Sequence, residues 1–408
     1  MIMAYHLFEV YGIELEYMLV QRSGLKINPI VDKLITKKNG TLTSDIENGK
    51  IEWSNELVSH VIEIKTNGPT SDLENLDALF AANVREINDL LEEFDTQLLP
   101  TAAHPSMDPT TETQLWPHHY SKIYALYNRI FNCKGHGWSN VQSMHINLPF
   151  FDDTEFEKLH AATRLLLPII PGLAASSPVL DSEYTGFKDA RMHYYKSNQK
   201  EIPHMTGKVI PEQVWNKSDY YKIIFNPITE AIKPFDTDKI LDHHFLNSRG
   251  AISRFDRNAI EIRVIDTQEN PTADVAIAAF IIEVLKLLVS EELISLEDQK
   301  SWYEDDLLLI MNDVIISAEN TLITNKKYLA IFDLKKDADV KTIWKKLYDL
   351  VGKKLSDDHQ KHIEFILQNG SLATRILKAL RNDFSKVQIG KVYGRLAECL
   401  QENRMFRP

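Results

Sequence analysis

The sequence predicts an α+β fold in which strands and helices mix over the first 270 residues and helices make up the remainder. Three observations predict it. Apolar residues alternate with polar ones, the period of a strand, at 8–19, 57–64, 141–148 and 259–265. Beyond residue 271 the apolar spacing is almost wholly helical, near 272–293, 301–321, 338–354, 357–381 and 384–402. No repeat or low-complexity segment divides the chain, so the strand at 259–265 is expected to join the earlier ones in a single sheet. This gives a sheet-bearing region 1–270 and a mainly helical region 271–408 packed on the same domain.

The elements between the strands follow in order. Ser71 and Glu74 have the spacing of a capping box, and Leu73, Leu76, Phe80, Val84, Ile87, Leu91 and Phe94 then recur at helical spacing. A strand is expected at 98–103, leading into His104-Pro105 and a Thr- and Pro-rich loop to Pro117. Helices are expected at 120–131 and 155–167, and the stretch 171–191 reads as irregular.

Composition sets outer bounds on function. A chain of 408 residues with 44% hydrophobic and 25% charged residues is ordinary for a globular protein. Its formal charge of −12 argues against nucleic acid as a partner, because phosphate backbones need a basic surface. Cys133 and Cys399 form no CxxC spacing, which speaks against a disulfide framework or a cysteine zinc site and fits a reducing cytoplasm. The N-terminus shows Glu9 and Glu14 and no basic stretch, so no signal peptide is expected. The run 275–289 is broken by Glu283 and Lys286 and is too short for a bilayer, so it reads as a buried helix and no membrane partner is expected.

The chemistry lies on the strands. In Gly12-Ile13-Glu14-Leu15-Glu16-Tyr17, residues two apart share a face, so Glu14 and Glu16 stand side by side with Ile13, Leu15 and Tyr17 behind them. Two confined carboxylates repel unless a cation intervenes, and magnesium or manganese prefers such oxygen donors. The competing reading is a strand with a solvated polar face, since Glu-x-Glu is common by chance. Glu261 and Arg263 share one face of 259–265, with Ile260, Ile262 and Val264 on the other. Such a pair is more often a surface ion pair, but beside a metal and a phosphate it would supply a ligand and a guanidinium fork. His145 and Asn147 share a third face; a lone strand histidine is more often structural. Glu56 and Glu63 are seven apart, on opposite faces of an ideal strand, so Glu56 must sit in a preceding turn or the strand must bulge. No one motif is diagnostic; together they place five glutamates and a histidine on strands.

The order of these motifs resembles the glutamate–cysteine ligase superfamily, in particular its bacterial carboxylate–amine ligase branch. The likeness is carried by GIELEY at 12–17, ELVSHVIEIKT at 56–66, VQSMHINL at 141–148, AIEIRVIDTQ at 259–268, and LAASSPVLDSEYTGFKDAR at 173–191. The resemblance implies a glutamine-synthetase-like, curved and mainly antiparallel sheet with helices outside it. It implies metal ligation by Glu14, Glu16, Glu56, Glu63, His145 and Glu261, a phosphate contact and catalytic role for Arg263 beside Glu261, and binding of the acid substrate's carboxylate by Arg191. Asn147 would lie near substrate or nucleotide. The cofactors implied are ATP and Mg2+, with Mn2+ as the alternative ion, and the partners are amino acids; a homodimer is expected from the branch alone. Two departures bear on substrate identity: Ser143 stands where many members carry the first histidine of His-x-His, and His119 stands where an arginine usually precedes the helical tyrosine.

The reaction so implied is phosphorylation of a carboxylate, followed by attack of an amine on the acyl phosphate, such as γ-glutamyl transfer to cysteine or another amino acid. No Walker motif or GxGxxG is present, which fits a nucleotide held through metal and sheet. Three alternatives compete: a guanidino phosphotransferase on the same fold, a hydrolase using His145, Glu16 and zinc-bound water, and a binding protein without catalysis. The scarcity of histidines at metal spacing counts against the hydrolase.

Overall fold

The computed structural model describes residues 5–408. Its centre is an eight-stranded sheet whose paired strands are all antiparallel. The strands are β1 (Gly12–Gln21), β2 (Asp45–Asn48), β3 (Ile51–Asn55), β4 (Val61–Thr66), β5 (Thr96–Leu99), β6 (Ser143–Pro149), β9 (Ala251–Arg254) and β10 (Ala259–Asp266). The small β7 (Val179–Leu180) and β8 (Glu183–Tyr184) pair with each other elsewhere. The order across the main sheet is β2-β3-β4-β1-β6-β10-β9, with β5 beside the far end of β1. The strand at 259–265 thus joins the early ones, as its alternation predicts, and the mainly antiparallel α+β architecture is borne out.

One face of the sheet is apolar. Ile13, Leu15, Tyr17, Ile62, Ile64, Ile146, Leu148, Ile260 and Ile262 enter a continuous core with Phe80, Val84 and Ile281 from the helices behind. The helix Pro271–Val289 runs through that core; Asn270 caps its first turn by accepting from the Ala273 N–H at 2.9 Å. Glu283 and Lys286 pair at 2.6 Å on its rim, so the broken apolar run is a buried helix as expected. Among the described residues, no helix is long and apolar enough to cross a membrane.

The opposite face of β1 is split. Glu14 and Glu16 are followed on that face by Met18 and Val20, which pack with Leu372, Ile376, Tyr393 and Leu396. The helices Leu372–Leu380 and Lys386–Glu402 therefore cover the far half of the polar face and leave the near half for the glutamates.

Several local expectations need correction. The helix starts at Leu76, not after Ser71, and Asn75 at its cap makes no side-chain cap bond. Asp72 instead accepts from the Asn75 N–H, which holds residues 72–75 in a turn. The strand expected at 57–64 is β4, shifted toward Thr66, and residues 57–60 form a loop. The hairpin β2–β3 was not anticipated because β2 (DIEN) is polar; its signal was Asn48-Gly49, a dipeptide that favours tight hairpins, with Gly49 at φ 69°. The strand expected at 98–103 ends at Leu99. The helix expected at 357–381 breaks at Gly370, whose φ of 91° no helix accommodates, and Ser371 caps the next one. The stretch 171–191 contains the helix Pro171–Ala174 and the β7–β8 pair before the helix Ala190–Tyr195.

Candidate active site

Register alone gathers the charged residues. Glu16 lies opposite Glu63 of β4, and Glu14 lies between Lys65 of β4 and His145 of β6. Asn147 lies between Gly12 and Glu261 of β10, and Ser54 of β3 lies opposite Glu63. Directly opposed residues in an antiparallel ladder put their side chains on the same face within contact distance. Gly12 gives Asn147 room: a Cβ at that position would stand 3.0 Å from the Asn147 Cβ and press that side chain aside.

The side chains then interlock. Glu14 accepts from Asn147 Nδ2 through Oε1 and from His145 Nδ1 through Oε2, both at 2.9 Å. Glu16 Oε2 accepts from the Ser143 N–H at 2.7 Å and the Ser143 hydroxyl at 3.0 Å. That hydroxyl has spent its one proton, so His145 Nε2, 2.9 Å away, must donate to it. Both ring nitrogens of His145 thus carry protons. Glu63 Oε1 accepts from Ser54 Oγ at 2.9 Å and Lys65 Nζ at 2.8 Å. Glu261 pairs with Arg263 Nη1 and lies 3.6 Å from Arg254 Nη1. Two trios result, Glu14–His145–Glu261 and Glu16–Glu63–His145, each with candidate ligand atoms within 4.8 Å of one another. Glu261 is therefore within bridging reach of Glu14.

Glu56 resolves the spacing problem. It follows the end of β3, in the loop before β4, so it and Glu63 approach from two strands rather than one. It is close enough to Glu63 and Glu16 for their charges to act on it.

The electrostatics show a site short of positive charge. Burial, and then the charges of Glu63 and Glu16, push the Glu56 carboxyl well above its ordinary range. Burial and the Glu14 charge push Glu63 up from 4.5 to about 7, against the pull of Lys65. Glu14 goes the other way: burial raises it, but the His145 hydrogen bond and the charges of His145, Lys65 and Arg263 outweigh that and hold it low. For His145, burial and Arg263 oppose protonation, yet the bond and charge of Glu14 raise it overall. A cluster of oxygen donors plus one imidazole, with two carboxyls forced up by burial and by neighbouring carboxylates, has the chemistry of a hard divalent-cation site. Magnesium or manganese fits this donor set; a ligating His145 would have to release one of its two protons.

Arg191 and Arg263 meet at the end of β10. The register of β10 against β6 slips between Ile262 and Ile265, so three residues of β10 span two of β6. The bulge returns Asp266 to the site face, opposite Ser143. There Asp266 accepts from Arg191 Nε at 2.5 Å, from the Ser176 N–H at 2.8 Å and from Ser177 Oγ at 2.9 Å. Arg191 Nη1 donates to the Arg263 carbonyl at 3.2 Å. Arg191, expected to meet a substrate carboxylate, is thus mostly engaged by the protein, and only its Nη2 is buried without a partner. Ser143, Lys65, Arg254 and Asp266 were not singled out as site residues in the sequence. Lys65 could have been, since it shares a strand face with Glu63; Arg254 and Asp266 are placed only by register and bulge.

A groove of about 1270 Å³ opens beside Glu14 and Asn147. Tyr124 and Tyr127 of the helix Ser121–Phe131 form one wall, with Thr66 and Phe245 among the others.

The family to which the chain belongs defines a carbon–nitrogen ligase of the carboxylate–amine class. The same fold occurs in glutamate–cysteine ligase from Francisella tularensis in complex with AMP, with a TM-score of 0.58, 13% identity, and 96% of this chain and 89% of that one covered. It also occurs in a bifunctional glutathione synthetase from Pasteurella multocida, with a TM-score of 0.59, 14% identity and 97% of this chain covered; this chain spans about half of that one (52%). The chain belongs to glutamate–cysteine ligase family 2, whose sequence model matches residues 10–390. An uncharacterized protein of Archaeoglobus fulgidus is 30% identical over 378 residues, 93% of this chain and 95% of that protein.

Proposed function

We propose that the protein is an ATP- and magnesium-dependent ligase that activates a carboxylic acid as its acyl phosphate and joins it to an amine, with glutamate and a second amino acid as the substrate class. The observation that carries this reading is the convergence of Glu14, Glu16, Glu63, His145 and Glu261 into two trios that share His145. Residues 1–270 supply this constellation, and the helical residues 271–408 close one end of its face.

Glu14, Glu16, Glu56, Glu63, His145 and Glu261 would hold the divalent cations. When bound, these ions neutralise the triphosphate and withdraw charge from the transferred phosphoryl group. The residues do the rest. Arg263 sits with Nη1 against Glu261 and its Nε buried without a well-formed hydrogen bond, placed to donate to a phosphoryl oxygen. Arg191 Nη2 is available to the acid's carboxylate. Asn147, held by Glu14 at the mouth of the groove, lies where nucleotide and substrate would meet. The groove exceeds the roughly 300–1,000 Å³ of ordinary ligand pockets, so it can take a nucleotide with room beside it. The acid's oxygen attacks the γ-phosphorus and ADP leaves. The amine then attacks the acyl carbon, phosphate leaves, and the amine loses a proton to solvent. Positioning and charge stabilisation suffice for both steps, so no dedicated base is required.

The test is ADP and phosphate release from ATP with glutamate and a panel of amino acids. Amine-dependent phosphate release is the expected result. A phosphorylated product formed without an amine would instead mark a phosphotransferase, and no turnover with any acid would overturn the reading.

A further inference from the structure

Three groups near the end of β10 are buried and make no well-formed hydrogen bond: Arg191 Nη2, Arg263 Nε and the Tyr195 hydroxyl. Two of them come from one short helix. Arg191 and Tyr195 are four residues apart on Ala190–Tyr195, so they lie on one face a turn apart. Arg191 touches the Arg263 backbone at 3.2 Å, which brings that helix face against β10. Tyr195 is the neighbour of Arg263 on that side, and its hydroxyl acts on the guanidinium. Its ring packs against the main core, so the hydroxyl is held in place rather than swung out to solvent.

Buried donors are almost always satisfied, because an unmet one costs a full desolvation penalty. Three unmet donors from two adjoining elements, next to Glu16 and Glu261, are better explained by a ligand than by chance. The two guanidinium nitrogens can only donate, and the Tyr195 oxygen, turned to the Arg263 guanidinium, can accept from it while its own proton stays free to give. The missing partner is therefore an acceptor, and the two positive charges make it an oxyanion.

We propose that Tyr195 is a third oxyanion-binding residue, donating its hydroxyl proton to an oxygen of the substrate carboxylate or transferred phosphoryl group that Arg191 and Arg263 engage. This rests on the ligase reading above. Tyr195 would fix the orientation of the oxyanion that two arginines alone hold only by charge.

Tyr195→Phe removes the hydroxyl and keeps the ring. The only polar neighbour of that hydroxyl in the protein is the Arg263 guanidinium, so the thermal midpoint should stay within a few degrees of the wild-type value. The Michaelis constants for acid and for ATP, and kcat, are measured for both proteins. A rise in KM for the acid of roughly tenfold to hundredfold, the loss of one hydrogen bond to a charged acceptor, supports the assignment with the carboxylate as occupant. A fall in kcat of that size, with KM for the acid unchanged, supports it with the phosphoryl group as occupant. Unchanged constants in an active Tyr195→Phe enzyme overturn this assignment and leave the ligase reading standing. Absence of acid-dependent ADP formation in the wild-type protein overturns both.

Discussion

Ser143 holds Glu16 twice through a single carboxylate oxygen, by its backbone N–H at 2.7 Å and its hydroxyl at 3.0 Å, while the same hydroxyl receives His145 Nε2 at 2.9 Å. Serine here is not a lost histidine ligand. It is the pivot that couples Glu16 to His145 and so orients a residue of each trio.

Ser143→Ala keeps the backbone bond and removes the other two. Glu16 and His145 should loosen together, and the magnesium concentration for half-maximal activity should rise by roughly tenfold to hundredfold, as for other residues that orient metal ligands. A magnesium titration reads this directly. An unchanged midpoint would show that Ser143 does not orient the ligands.

Glu261→Gln keeps shape and removes charge. Glu261 lies in one trio with Glu14 and His145 and also anchors Arg263, so kcat should fall by at least about a hundredfold. Circular dichroism and the thermal midpoint should show an intact fold. Wild-type turnover in this variant would remove Glu261 from the site.

The Glu63 carboxyl, raised from 4.5 to about 7, ties cation binding to pH. A carboxyl raised on folding binds its proton more tightly in the native state. The cation-free protein should therefore lose stability as pH climbs from about 4.5 to about 7 through this group. A divalent cation bound as proposed would replace that proton. The rise in thermal midpoint on adding magnesium should be larger at pH 8 than at pH 5.5, and a shift independent of pH would exclude Glu63 as a ligand.

Arg375 and Glu269 form a fully buried ion pair that also receives the backbone of Phe406. It ties the C-terminal helices and tail to the chain just beyond β10. Arg375→Met leaves Glu269 charged and unpaired, and should cost about 3–5 kcal/mol in urea unfolding. A loss below about 1 kcal/mol would show that the pair contributes little to the docking of these helices.

Much of this was legible in the sequence, for a physical reason. Side chains alternate on a strand, so GIELEY, MHINL and AIEIRV each declare a polar row and an apolar row without reference to any other part of the chain. That local rule was enough to pick out Glu14, Glu16, His145, Asn147, Glu261 and Arg263 as face-sharing pairs and to set the α+β class. Helices of strong apolar period, such as Pro271–Val289, were equally plain. The β2–β3 hairpin was missed because its first strand has no apolar alternation, and the break at Gly370 because a helical period continues on both sides of it.

What only the tertiary structure decided is which rows meet. Register sets Glu16 against Glu63 and Glu14 against His145, and register is a property of two strands, not one. The bulge after Ile262 turns Asp266 onto the site face to seize Arg191, a reversal that strict alternation in the sequence would place on the wrong side. The split of β1 into a polar and a covered half depends on helices more than 350 residues further along the chain, Leu372–Leu380 and Lys386–Glu402. A sequence carries the period of each element; distance between elements exists only once the chain has packed.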